Sequence, residues 1–114
     1  MKRVFVYAPL IRKRLDELDD PDNKARQIEN EILNNPETGD IVPGTGGVRK
    51  FRLPDEERSK GKRGGIRVFY LDLPHAEKTY LLFFLKKGEA EDLMGSEKIM
   101  IRDLVSVLKK ESQP

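Results

Sequence analysis

The densest chemical signal in the chain is the stretch 58–70, RSKGKRGGIRVFY. Its first ten residues hold five cations (Arg58, Lys60, Lys62, Arg63 and Arg67), three glycines and no acid. Like charges repel and glycines raise the entropy lost on ordering, so fold stability gives no reason for this composition. An anionic partner does. Upstream, VRKFRL adds Arg49, Lys50 and Arg52; downstream, YLLFFLKK ends on Lys86 and Lys87. Strand alternation sends Lys50 and Arg52 to one face, and Phe51 with Arg49 to the other. Neighbouring antiparallel strands then bring such groups onto one surface although they are distant in sequence. Converging guanidinium and ammonium groups can hold a phosphodiester, lower the charge of a pentacoordinate phosphorane and assist proton transfer without a metal. RNA supplies its own nucleophile, the 2′-hydroxyl beside the phosphate; DNA does not. A lysine acting as the base needs a depressed pKa, which neighbouring cations help to produce. The same surface could instead only bind an acidic partner, and the residues leave both readings open.

Other chemistries find little support. The chain has no cysteine and one histidine, His75, in the short connection PHAE, where a surface turn residue is expected. A metal cluster and a Cys–His nucleophile pair are thereby set aside, and neither a metal nor a cofactor is expected. Glu56 and Glu57 fall in the cationic loop and are read as neutralising neighbours. GTGG (44–47) lacks the strand-before, helix-after context and the Gly-Lys-Ser/Thr ending of a phosphate loop. It is read as a sharp turn ahead of a strand at residue 48.

The 114 residues suit one domain, 1–114, with one modest core. Hydrophobic and charged residues each make up 37%, lean but still globular. The opening apolar run is about eight residues long, shorter than a signal-peptide core and far short of a membrane span. With no cysteine, the expectation is a cytoplasmic protein. The net charge of +2 hides its distribution: residues 12–37 sum to −3, residues 49–67 to +5 and residues 72–114 to −1. A local basic patch is the footprint of a polyanion partner.

The elements that must position these cations follow from periodicity. KRVFVYA (2–8) predicts a strand with cover on both faces. Ile11, Leu15 and Leu18 predict a short helix, and Ala25, Ile28 and Ile32 a second, capped by Asp20, entered through Pro21 and ended by Pro36. Joined by three or four residues, they form an αα-hairpin. After the turn-rich 37–47 come strands at 48–53, 66–73 and 78–85, the last two an antiparallel hairpin. Ser96 is expected to cap a closing helix with the stripe Ile101, Leu104, Val105 and Leu108. The order β-α-α-β-β-β-α predicts an α+β fold, a twisted, mostly antiparallel sheet with an N-terminal αα-hairpin and a C-terminal helix. The first strand is expected to pair with an edge of the later hairpins.

NPETGDIVPGTGGVRKFRL, then GKRGGIRVFY, then YLLFFLKKGEAEDL resemble the RelE/ParE superfamily of type II toxins, most closely its HigB-type branch. The resemblance covers roughly residues 30–108, and the element order over the whole chain agrees with a RelE-like fold. It implies a ribosome-dependent messenger-RNA interferase that cuts translated message in the A site by 2′-hydroxyl attack, leaving a 2′,3′-cyclic phosphate and a 5′-hydroxyl. Carried onto this sequence, the catalytic set is Arg67 on the scissile phosphate, Lys87 on phosphate or leaving group and Lys60 in proton transfer. Lys50, Arg52, Lys62 and Arg63 hold RNA backbone, and the register of the loop leaves Lys60 and Lys62 interchangeable. The implied partners are the ribosome, messenger RNA and a helix-turn-helix antitoxin of the HigA type, with DNA reached only through that antitoxin and no membrane. Some superfamily nucleases carry a tyrosine near the start of the closing helix; here the position is approximately Met94, so that role has no bearer. A gyrase-directed toxin on the same fold and a non-catalytic RNA or ribosome binder are the competing readings, because one fold hosts several functions.

Overall fold

The computed structural model describes residues 3–54, 65–86, 88–89 and 93–113. Strand β1 (Val4–Tyr7) leads into helix α1 (Pro9–Leu15) and helix α2 (Pro21–Asn34). A two-residue strand β2 (Asp40–Ile41), β3 (Arg49–Leu53), β4 (Ile66–Leu73) and β5 (Lys78–Lys86) complete the sheet. Helix α3 (Gly95–Glu111) closes the chain. The fold is α+β, with a five-stranded sheet in the order β1-β5-β4-β3-β2. β1 joins β5 in parallel and every other neighbouring pair is antiparallel, so the first strand does pair at the edge of the later hairpin.

The two faces bury different helices. Ile11 and Leu15 of α1 and Ile28 and Ile32 of α2 pack on Phe51, Leu53, Ile66, Val68, Tyr70, Leu81 and Phe84. The opposite face, with Val48, Phe69, Leu71, Leu73 and Leu82, takes Val105 of α3. In β5 the register slips between Phe69 and Tyr70, which pair with Phe83 and Leu81, leaving Leu82 as an extra residue. That bulge is why Leu81 and Phe84, three apart, both reach the α1/α2 face, while Leu82 and Phe83 both face α3.

α2 forms as its sequence dictates. The Asp20 carboxylate accepts the Asn23 N–H, Pro21 occupies the first turn, and Ile28 and Ile32 are buried with Ala25 beside them. Five residues, 16–20, rather than three or four, separate the helices.

Three further expectations are corrected. β1 is an edge strand rather than a covered one, and Val4 is 57% exposed. The cap of α3 is Met94, with the Glu97 carboxylate accepting the Met94 N–H at 2.7 Å; Ser96 lies inside the first turn. Of the α3 stripe, Val105 is buried and Ile101 and Leu108 are partly so, but Leu104 turns outward, 40% exposed. β2 was hidden in the turn-rich segment because two residues carry no periodicity.

Among the described residues, no helix is long and apolar enough to cross a membrane.

Candidate nucleic-acid interface

The register of β3 and β4 places Arg52 directly opposite Arg67, with Lys50 opposite Phe69 one step along the ladder on the same face. Phe51, Leu53, Ile66 and Val68, which alternate with these residues, are buried against α1 and α2. Lys50, Arg52 and Arg67 therefore project from the other face. Arg52 is exposed, and Lys50 and Arg67 are half-buried. Directly opposed residues on antiparallel strands hold their Cβ atoms about 4.5–5.5 Å apart, and like charges there are destabilising. Among the described residues no carboxylate is ion-paired with Arg67. A Cβ added at Gly65 would lie 3.6 Å from Arg52 Nε, so the Arg52 side chain lies close to Gly65, one residue ahead of β4.

Leu85 of β5 stands opposite Arg67, and Lys86 opposite Ile66. The cationic pair thus sits at one end of the sheet, flanked by the C-terminal end of β5. Lys60, Lys62 and Arg63, expected on the β3–β4 connection, and Lys87, one position past the end of β5, lie outside the described residues. So do Glu56 and Glu57. Of the seven expected site residues, Arg67, Arg52 and Lys50 are brought together on one surface.

Arg49 faces the other way, as alternation requires, and does structural work. Its guanidinium donates to the carbonyls of Glu37 and Gly39 at 3.1 and 3.2 Å. The Tyr70 hydroxyl donates to the carbonyls of Pro36 and Thr38 at 3.0 and 2.8 Å, and burial pushes its pKa up to about 12. The Thr38 hydroxyl donates to Glu31. Gly39 has φ 81°, and a Cβ there would fall 1.9 Å from the Lys50 carbonyl oxygen. These contacts pin the NPETGD loop beside β3, which fixes the outer neighbour of Lys50. Its residues are a brace for the cationic strand.

GTGG serves the same end. The Thr45 hydroxyl donates to the Val42 carbonyl and accepts the Val48 N–H, closing the turn ahead of β3 as expected. Gly46, at φ 82°, leaves a gap in which a Cβ would stand 3.1 Å from Val105 of α3. Lys109 Nζ donates to the Gly46 carbonyl at 2.6 Å. His75 is exposed in the 3-10 turn Pro74–Ala76, the surface turn residue its context predicted. Among the described residues, no group of His, Cys, Asp or Glu side chains could hold a metal ion.

Sequence reasoning missed Arg14. From α1 it donates to the Phe84 carbonyl at 2.7 Å, makes two bonds to the Glu89 carboxylate at 2.8 and 2.9 Å, and lies 4.9 Å from the Phe84 ring centroid. No local pattern marks it, because its partners are some seventy residues away in sequence.

No protein-family model matches the chain.

Proposed function

We propose that the protein is a metal-independent endoribonuclease of the RelE/ParE type, HigB-like, acting on translated message in the ribosomal A site. The observation that carries this reading is the opposed pair Arg52–Arg67, with Lys50 beside it, on a sheet face turned away from α1 and α2. Two guanidinium groups at directly opposed positions concentrate positive charge on one patch of the sheet, and a phosphate can accept their paired N–H donors there. The three sequence motifs that resemble the superfamily supply the rest of the reading.

In the proposed mechanism Arg67 holds the scissile phosphate with its bidentate fork and offsets the charge that builds on the phosphorane. Arg52 and Lys50 position the adjoining backbone, with Lys62 and Arg63 adding contacts from the β3–β4 connection. Lys60, in its neutral form, takes the 2′-hydroxyl proton as the 2′-oxygen attacks phosphorus and the bond from phosphorus to the 5′-oxygen breaks; Lys87 stabilises the departing 5′-oxygen, which takes a proton from solvent and leaves as a 5′-hydroxyl. The products are a 2′,3′-cyclic phosphate and a 5′-hydroxyl. The partners are the ribosome, its messenger RNA and a neutralising helix-turn-helix antitoxin of the HigA type; the proposed location is the cytoplasm.

The test is to induce the protein without an antitoxin and map transcript 5′ ends, with and without an inhibitor that empties the A site. In-frame cuts that vanish when translation stops are the expected result. Growth arrest with intact transcripts would replace the nuclease by a ribosome-blocking or gyrase-directed protein.

A further inference from the structure

The C-terminal end of β5 has an unusual support. β1 pairs with β5 only as far as Tyr7 and Leu81, so among the described residues no strand flanks Leu82–Lys86 on that side. On the other side Phe83–Lys86 pair with β4, Leu85 opposite Arg67 and Lys86 opposite Ile66. Arg14 takes the place of the missing strand. Its guanidinium donates to the Phe84 carbonyl and to both oxygens of Glu89. Glu89 in turn accepts the Lys86 backbone N–H, and its own N–H donates to the Lys86 carbonyl at 3.0 Å. Gly88, at φ 93°, completes the turn.

We propose that Arg14 and Glu89 are positioning residues for the phosphate site, a clamp that fixes the end of β5 and through it the placement of Arg67. The inference rests on the reading of the Arg52–Arg67 face as an RNA-cleaving site. The Glu89 carboxyl is held below the usual carboxylate range, first by the Lys86 N–H and then by Arg14, so the clamp is charged at neutral pH. Glu89 is exposed and Arg14 half-buried, and ion pairs at the surface add little to global stability. Its consequence is local: it decides where a one-sided strand end lies. Misplacing a phosphate-binding group by about 1 Å can cost up to two orders of magnitude in rate.

The experiment measures single-turnover cleavage of message on programmed ribosomes for the wild-type protein, Glu89→Gln, Arg14→Lys and the double variant. Melting temperatures and exchange of the Lys86 amide are followed in parallel. Each single variant is expected to slow cleavage about tenfold or more, with the half-saturating ribosome concentration unchanged. Lys86 exchange should quicken, melting should move little, and the double variant should be no slower than the worse single, since both act through one clamp. Arg67→Ala should abolish cleavage while the Lys86 amide stays protected. Rates within twofold of wild type despite fast Lys86 exchange would overturn the inference, as would losses that simply follow the melting temperature. A wild-type protein that cleaves nothing would overturn the reading of the site, and the clamp's role with it.

Discussion

Arg52 on β3 and Arg67 on β4 face each other across an antiparallel pair, on the side of the sheet away from α1 and α2. Like charges directly opposed on neighbouring strands do not help the sheet. Removing Arg67 should therefore separate stability from function. Arg67→Ala is expected to melt at or slightly above the wild-type temperature while losing growth inhibition and keeping antitoxin binding. Continued toxicity of the variant would remove Arg67 from the site.

Phosphate contacts release counterions, so affinity for ribosomes should fall steeply as salt rises. Replacing Arg52 or Lys50 with alanine should weaken binding and reduce the slope of log affinity against log salt by about one for each phosphate no longer neutralised. A salt response that is flat for the wild type would make the basic face bystander surface.

The Tyr70 hydroxyl donates to the Pro36 and Thr38 carbonyls from within the core. Tyr70→Phe should cost about 1–3 kcal/mol in denaturant unfolding, because buried carbonyls lose their donor. The pH dependence has a definite sign. Burial raises the Tyr70 pKa to about 12, above its unfolded value of about 10. Its contribution is fully present below about pH 10 and lost as pH rises toward 12. The phenylalanine variant should lose that part of the alkaline destabilisation. The Tyr7 hydroxyl, which burial and its bond to Glu29 also raise, supplies a remaining part.

Two glycines with nearly the same φ should behave very differently. Gly39→Ala puts a Cβ 1.9 Å from the Lys50 carbonyl oxygen, so β3 or the NPETGD loop must move. Gly44, at φ 80°, has nothing within 4 Å of such a Cβ, and Gly44→Ala should cost only the left-handed backbone strain, about 1–2 kcal/mol. Denaturation midpoints check the pair: Gly39→Ala should lose clearly more stability than Gly44→Ala, and should disturb the Lys50 amide.

The sequence displays what depends on near neighbours. Asp20, Pro21, Ile28 and Ile32 announce α2 because cap and stripe are local features. The alternation of Lys50, Phe51 and Arg52 gives the correct faces of β3 because burial of one face enforces period two. What depends on distant partners stays hidden. Nothing around Arg14 signals that it reaches Phe84 and Glu89, and nothing around Tyr70 signals the Pro36 and Thr38 carbonyls. Leu104 fits a helical stripe, yet α3 docks through a narrow patch centred on Val105, seated over Gly46, and the stripe's margin remains outside. Val4 reads as a covered strand residue, but edge position is a property of the sheet order and leaves no mark on four residues.

Whether the Arg52–Arg67 face cuts RNA is the central question. The most direct measurement is the chemistry of the message ends after the purified protein meets ribosomes programmed with a defined codon in the A site. The expected result is one cut within that codon, with a 2′,3′-cyclic phosphate upstream and a 5′-hydroxyl downstream, absent with Arg67→Ala. Intact message on ribosomes that the protein demonstrably occupies would contradict it.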